Sequence, residues 1–325
     1  MPEAFPGAII TFPMLGESFS LDPSGTYTLF GRTLYWYGAI IGLGFVLAAL
    51  YCMWRGPKDF GISRDTLTDV VLVALPTAII GARLYYVFCH WSNYVGDTVW
   101  QTLWNWCKIW EGGTAIPGGL LLATLCVWLY ARKKKVPFGA IMDCVVLGLL
   151  IGQIVGRWSN FVNREYIGEV TDVFCRMGLT TGGTTYYVHP LFLYESLWNL
   201  AGFLFLAVWT QKGKRQYDGQ AALLYFTWYG LIRFLLEPLR TSPLLIPGTT
   251  LRASQVLGGG MCLVALVLLI VQSRRVHRPE ELYVNKLRAE AAAAAAAAES
   301  AAEAAEETEA APAAETADKS EENKE

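Results

Sequence analysis

Seven apolar runs of sixteen to twenty residues divide this chain, and they limit its fold more than any other feature. They occupy residues 35–54, 70–89, 114–130, 140–155, 191–210, 221–236 and 253–271. A helix crosses the hydrocarbon core of a bilayer with about 20 apolar residues, with a range of ~17–25. In that solvent a backbone must satisfy its own hydrogen bonds, which helices do. The fourth run is the weakest, being short and containing Asp143, and its end runs on towards Phe161. Charged residues make up only 17% of the chain, against about 25% in soluble domains. The sequence therefore predicts an all-α polytopic membrane protein with seven transmembrane helices. It excludes a soluble disulfide scaffold, a collagen-like chain and a mainly disordered protein.

The formal net charge of −2 conceals an uneven distribution. Residues 290–325 hold 11 acids and 2 bases, leaving residues 1–289 with 17 acids and 24 bases. Basic residues of short loops face the cytoplasm. Arg55, Lys58 and Arg64, the Arg132–Lys135 run, Lys212, Lys214 and Arg215, and Arg274, Arg275 and Arg278 give 13 on one side, against 7 on the other. With seven spans this predicts the N-terminus outside and the C-terminus in the cytoplasm. Residues 1–30 are expected to form an extracytoplasmic segment, 31–275 the membrane domain, and 276–325 a cytoplasmic extension. Its Ala/Glu-rich part lacks the apolar variety to build a core and is expected to be disordered. No Lys or Arg precedes Arg32, so no cleaved signal peptide is expected. The seven cysteines form no CxxC pair and the three histidines are scattered, so no metal site is expected.

Ionisable groups at bilayer depth are costly and need a partner or a watery cavity. Arg83, Asp143, Arg157, Glu195, Arg233 and Glu237 form that set. Tyr229, Arg233 and Glu237 recur at four-residue spacing, with Arg240 three further on, so they share one helix face. That pattern suits either a structural ion pair or an anion site. The segment from Gly156 to Gly168, with Arg157, Asn160, Asn163, Arg164 and Glu165, suits either a capping loop or a ligand site. His189-Pro190 precedes the fifth span, where a solvent-facing histidine and a functional one are both open. Arg157, Arg233, Glu237, Arg240, the loop residues Asn160, Asn163, Arg164 and Glu165, and His189 lie towards the outer side. Guanidinium forks match phosphate oxygens and stay charged, which favours a phospholipid headgroup over an ion or a sugar.

These same residues resemble the bacterial prolipoprotein diacylglyceryl transferases over most of residues 30–272. Trp36-Tyr37-Gly38 is similar to the family's first-helix WYG, and Gly81 with Arg83 to its second-helix GxR. Trp110-Glu111-Gly112-Gly113 with Gly118-Gly119-Leu120 is similar to its W-x-GG and GGL segment. Gly156, Arg157, Asn160, Phe161, Asn163, Glu165 and Gly168 follow its signature GRxxNFxNxExxG. His189, Pro190, Tyr194 and Glu195 follow HPxxLYE, and Tyr229, Gly230, Arg233, Glu237 and Arg240 follow YGxxRxxxExxR.

The resemblance implies transfer of the diacylglyceryl group of phosphatidylglycerol to the lipobox cysteine of a preprolipoprotein, leaving a thioether and glycerol 1-phosphate. It implies a bacterial plasma-membrane enzyme with its site on the extracytoplasmic side, no cofactor, and no nucleic-acid partner. Arg157 and Arg233 are expected to orient the phosphate and stabilise its charge. Tyr37, Arg83, Asn160, Asn163, Glu165, Gly168, Tyr194, Glu195, Tyr229 and Arg240 are expected to bind substrate. The chain departs from the family at Pro117, where a histidine proposed as base usually stands, at Ser159 and Arg164, where glycine is usual, and at Glu169, where arginine is usual. With Pro117 there, His189 is expected to act as general base, with Glu237 as alternative. A transporter or flippase of an anionic lipid and a low-activity lipid-binding paralogue are the competing readings; the lack of an internal repeat disfavours transport.

Overall fold

The structure is a computed structural model that describes residues 5–16, 19–109, 112–246 and 248–321, with side chains through residue 302. Each of the seven apolar runs forms a helix. In chain order the helices are α1 (Trp36–Arg55), which ends in a wide turn over Gly56–Phe60, α2 (Arg64–Cys89), α3 (Val99–Cys107), α4 (Ile116–Lys134), α5 (Phe138–Asn163), α6 (Leu191–Gln211), α7 (Gln220–Leu236), α8 (Ala253–Ser273) and α9 (Tyr283–Glu321). Local signals set several starts. Ser63 caps α2 by accepting from the Thr66 N–H at 3.1 Å, and Pro117 lies in the first turn of α4, where its missing N–H costs nothing.

Five helical segments are long and apolar enough to cross a membrane, namely Trp36–Phe60, α2, α5, α6 and α8. The other two runs form shorter or more polar helices. α7 has 17 residues, and α4 closes on Arg132, Lys133 and Lys134. α1 packs on α5, α2 on α4, α5 on α6, and α7 on α8. Close approach of α2 and α4 depends on Gly81 and Gly118: a Cβ at Gly118 would stand 2.3 Å from the Gly81 carbonyl oxygen. Small residues at such crossings replace the hydrophobic drive that lipid removes. Outward-facing Leu121, Leu125, Leu257, Leu263 and Val264 stay exposed, as a lipid-facing surface allows.

The expectation of an all-α chain is corrected by six short strands. β1 (Ile9–Thr11), β2 (Ser20–Leu21), β5 (Met177–Thr181) and β6 (Thr184–Val188) form an antiparallel sheet in the order β2-β1-β5-β6, while β3 (Thr26–Leu29) and β4 (Arg32–Tyr35) form a separate hairpin. β5 and β6 turn at Gly182-Gly183, both with positive φ, the chemistry of a tight hairpin. β1 comes from the first thirty residues and pairs with β5, with Ile10 opposite Leu179. Ile10, Leu179, Met177 and Val188 are buried with Phe5, Phe12, Ile167 and Phe192 in a small core over the ends of α5 and α6.

Asp143, one of the charges predicted to need a partner, is structural. It is fully buried in α5, accepting from Arg215 Nη1 at 3.0 Å, the Gly219 N–H at 2.9 Å and the Ala222 N–H at 2.9 Å. The carboxylate thus caps the start of α7, where the helix dipole favours negative charge. At the C-terminus, Leu282 and Val284 are buried, and Tyr283 N–H donates to Asp218 at 3.0 Å. The Ala/Glu-rich residues continue α9, and residues 289–302 are exposed throughout.

Candidate active site

The end of α5, the start of α6 and the end of α7 meet, and their charged residues meet with them. Glu195, in the first turns of α6, is fully buried and bridges two arginines. Its Oε1 accepts a short bond from Arg157 Nη2, and its Oε2 accepts from Arg233 Nη1 at 3.3 Å. Arg233 Nη2 donates to Glu237 Oε2 at 3.2 Å, the four-residue pair expected on α7. Arg240 approaches the other Glu237 oxygen at 3.8 Å, and Glu237 is itself buried. Asn160 accepts from Arg157 at 3.3 Å and donates to Glu165 at 2.9 Å. Tyr229 lies beside Arg157 and stacks on Tyr225 at 5.8 Å.

Three guanidiniums, Arg157, Arg233 and Arg240, therefore meet two buried carboxylates, a surplus of one positive charge, with Glu165 joined to them only through Asn160. The donors are not exhausted. Arg240 Nε is buried with no hydrogen-bond partner, as is Glu237 Oε1. Next to Arg157 opens an apolar cavity of about 560 Å³ between α1, α2 and α5. Its walls include Phe45, Leu67, Val70 and Leu149, and its polar end is Gln153, Gly156 and Arg157. Gln153 donates to the Tyr225 hydroxyl at 2.8 Å while its Oε1 is buried without a partner.

Tyr166 was not among the expected residues, yet it stands at the centre. The ring centroid lies 4.8 Å from the Arg157 guanidinium, 5.3 Å from that of Arg240 and 5.7 Å from that of Arg233. Its hydroxyl accepts from Arg233 at 2.5 Å and donates to Glu195 at 3.1 Å. Burial, and then the Glu195 carboxylate, push the phenol well above its ordinary range. Its only sequence signal was its position inside the segment from Gly156 to Gly168. That segment ends α5 on Arg164, whose φ of +54° is a conformation glycine takes without strain. Arg164 is buried and spends its donors on the Ala8 carbonyl at 2.6 Å and Asp22 at 2.5 Å, tying the N-terminal strand region to the site.

His189 sits beside this cluster through the backbone. The Gly168 N–H donates to the His189 carbonyl at 3.2 Å, and Gly168 bridges Arg240 in a β-type pair. Gly168 is required there, since a Cβ would stand 2.5 Å from that of His189. His189 Nδ1 contacts the Tyr194 hydroxyl at 3.2 Å, which contacts Cys175 Sγ at 3.3 Å. Burial pushes the imidazole below its usual 6.5, with Glu169 opposing. The ring is therefore neutral at pH 7 and able to accept a proton.

Three expected residues are not gathered into the cluster. Arg83 is buried 30 residues from the Gly113 carbonyl it binds: its donors go to the carbonyls of Trp106, Asn105, Gly112 and Gly113 at 2.5–2.9 Å, and it lies over the Tyr94 ring. It secures the segment between α3 and α4. Tyr37 is 40% exposed in the first turn of α1, and among the described residues no hydrogen bond or ion pair joins it to the arginines. Asn163 ends α5 with its Oδ1 towards Gly25, 4.0 Å from where a Cβ there would lie. Pro117 is exposed at the start of α4. Trp110 and Glu111 lie outside the described residues.

The family model described as prolipoprotein diacylglyceryl transferase matches residues 26–271. The phosphatidylglycerol–prolipoprotein diacylglyceryl transferase of Bacillus cereus (strain 03BB102) is 38% identical over 259 residues, covering 77% of this chain and 92% of that protein. The protein of the same name from Bacillus cytotoxicus is 37% identical over 262 residues, covering 78% and 93%. That from Bacillus anthracis (strain A0248) is 38% identical over 259 residues, covering 77% and 92%. All of the gathered residues, from Arg157 to Arg240, lie inside the matched span, and the chain belongs to the prolipoprotein diacylglyceryl transferase family.

Proposed function

We propose that this chain transfers the diacylglyceryl group of phosphatidylglycerol to the lipobox cysteine of a preprolipoprotein. The observation that carries the reading is a cluster with surplus positive charge whose Arg157 forms the polar end of an apolar cavity, and whose Arg240 keeps an unpartnered donor. Phosphatidylglycerol carries one negative charge on its phosphodiester and two acyl chains on its glycerol. The clamp suits the first and the cavity suits the second. Family membership favours this transferase over a transporter of anionic lipid.

In the reaction the peptide thiol loses its proton to a base and its sulfur attacks the glycerol carbon esterified to phosphate. That carbon–oxygen bond breaks, its electron pair stays on the phosphate oxygen, and glycerol 1-phosphate leaves. The phosphate thus passes from one negative charge towards two. Arg157, Arg233 and Arg240 stabilise that gain more than the ground state, which is what lowers a barrier. A thiol has an unperturbed pKa of about 8.5, so the proton is the smaller hurdle. His189 takes it, being neutral and half-buried beside Gly168. Glu237 suits the task less, because Arg233 and Arg240 flank it. Asn160 and Glu165 orient Arg157. Seven spans, with the N-terminus outside and the site at the extracytoplasmic face of a bacterial plasma membrane, complete the reading; the basic ends of the helices support that orientation.

The deciding experiment incubates the purified protein in phosphatidylglycerol vesicles with a lipobox peptide. Mass spectrometry is expected to find the diacylglyceryl group on the peptide cysteine, with glycerol phosphate released in equal amount. An unmodified peptide after long incubation overturns the reading. Arg157→Ala and Arg233→Ala are each expected to abolish transfer while the protein still inserts; near-normal turnover by either refutes the clamp.

A further inference from the structure

We propose that Tyr166 is the positioning residue of the arginine clamp, and that its ring and hydroxyl set the affinity for the anionic phospholipid. The proposal rests on the anion-site reading above and goes beyond it, because position 166 is one the family signature leaves open.

Three independent features single this residue out. The first is its backbone. Tyr166 has a φ of +58°, a conformation uncommon for a bulky residue. Such strain persists only where the surroundings over-determine it, and it clusters at functional sites. Here the chain is held on both sides. The Glu165 N–H donates to the Asn160 carbonyl at 3.0 Å, and the Thr241 hydroxyl to the Ile167 carbonyl at 3.1 Å.

The second feature is the ring. Three like charges lie within 6 Å of one centroid. Guanidiniums so close repel one another, and two carboxylates do not cancel three cations. An aromatic face carries partial negative charge and attracts cations without supplying a fixed acceptor. The ring therefore lets the arginines converge while leaving N–H donors for a ligand. A carboxylate in its place would take those donors.

The third feature is the hydroxyl. It accepts from Arg233 and donates to Glu195, so both of its directions are fixed. Glu195 in turn holds Arg157. One phenol thus aligns Arg233 directly and Arg157 at one remove. Arg157 gives N–H groups to Asn160 and Glu195 and stands beside the Tyr229 hydroxyl without using all five, and Arg240 keeps its buried Nε free. These are the donors that the ring aims and does not consume.

Tyr166→Phe keeps the ring and removes the hydroxyl, and Tyr166→Leu removes both. The full chain is reconstituted in phosphatidylcholine vesicles with increasing phosphatidylglycerol. Initial rates are measured against lipid fraction and, separately, against peptide concentration. A hydrogen bond to a charged group supports about a tenfold change. The phenylalanine variant is expected to raise the KM for phosphatidylglycerol about that much, and the leucine variant further, with the KM for peptide within twofold of wild type. A spectator with only a packing role would shift neither KM selectively. If both variants keep the lipid KM within twofold of wild type, or if the two KM values rise together, the proposal is overturned. Arg157→Ala serves as reference, read by the thermal stabilisation that phosphatidylglycerol confers. If that variant is stabilised as strongly as wild type, the anion site itself is wrong. If it loses the stabilisation while Tyr166→Phe keeps both its stabilisation and its KM, only the role of Tyr166 falls. The phenylalanine variant preserves shape, so the test stands even where the leucine variant fails to fold.

Discussion

Glu195→Gln isolates the charge balance of the site. The change is isosteric, but it takes the buried anion from between Arg157 and Arg233 and raises the local surplus from one positive charge to two. Breaking a buried pair by removing one partner costs about 3–5 kcal/mol, because the remaining ion stays desolvated. The arginine side chains keep 20% and 15% exposure, so water relieves part of this and the lower end, about 3 kcal/mol, applies. For a body of this size 1 kcal/mol moves the midpoint by about 2–4 °C, so the variant should melt about 6–12 °C lower in phosphatidylcholine. An anionic lipid should then restore some of the loss, since it supplies the missing negative charge to the folded state alone. If the variant binds phosphatidylglycerol about tenfold more tightly, about 1.4 kcal/mol returns at saturation, or roughly 3–6 °C. The assay is a thermal melt of both proteins in the two lipids. A midpoint within 2 °C of wild type in phosphatidylcholine, on the order of 1 kcal/mol or less, or a gap equally wide in both lipids, would refute the reasoning.

The opposite end of the bundle gives a control: Asp143→Ala removes the cap of α7 and the partner of Arg215, so it should cost about 3–5 kcal/mol in a melt yet leave the stabilisation by phosphatidylglycerol unchanged. Gly168→Ala should lower turnover about a hundredfold and also cost about 1–3 kcal/mol of stability, because its Cβ must displace the Cβ and backbone of His189; rates and melts on the same sample check it. His189 has its folded pKa below the unfolded 6.5, so the folded state holds it neutral. The unfolded chain gains the proton first as pH falls, so stability drops below about pH 6.5 and levels off once the folded pKa is passed. In the same way kcat/KM should fall on an acid limb with its midpoint below 6.5, and that limb should vanish in His189→Gln; an unchanged limb removes His189 as base.

The helices were legible because their signal is long. A run of about twenty apolar residues has few other uses, and each run yielded a helix starting within two residues of its predicted start, except the second, which starts six residues earlier at Arg64. The strands were not legible, for the same reason inverted: they are two to five residues long, and the pairing of Ile10 with Leu179 joins segments far apart in sequence. The ion pair of Arg233 and Glu237 could be read from helical spacing, since both lie on one face. The partnership of Glu195 with Arg157 joins two helices and could be inferred only as a shared end. Tyr166 left no periodic trace, because Arg164 and Tyr166 both take left-handed backbone conformations and break any spacing rule at that point.

Residue type alone did not separate Arg83 from Arg157, since both are arginines near the end of an apolar helix. What separates them is the account of their donors. Arg83 gives Nε and both Nη groups to four backbone carbonyls, so an anion could reach it only by taking apart the segment it holds. Arg164 and Arg215 are likewise committed, the first to Ala8 and Asp22, the second to Asp143 and the Asp59 carbonyl. Arg157, Arg233 and Arg240 differ in kind: they outnumber the two carboxylates they meet, and an aromatic ring supplies the remaining attraction without occupying their hydrogens. That arrangement suits the anion site proposed above. A surplus of one matches a phosphodiester at rest, and it becomes too small as the leaving phosphate gains its second charge. In the proposed reaction the attraction of the phosphate to the three arginines grows as its charge passes from one towards two, so the cluster favours the transition state over the bound lipid, which is the electrostatic requirement for breaking the carbon–oxygen bond.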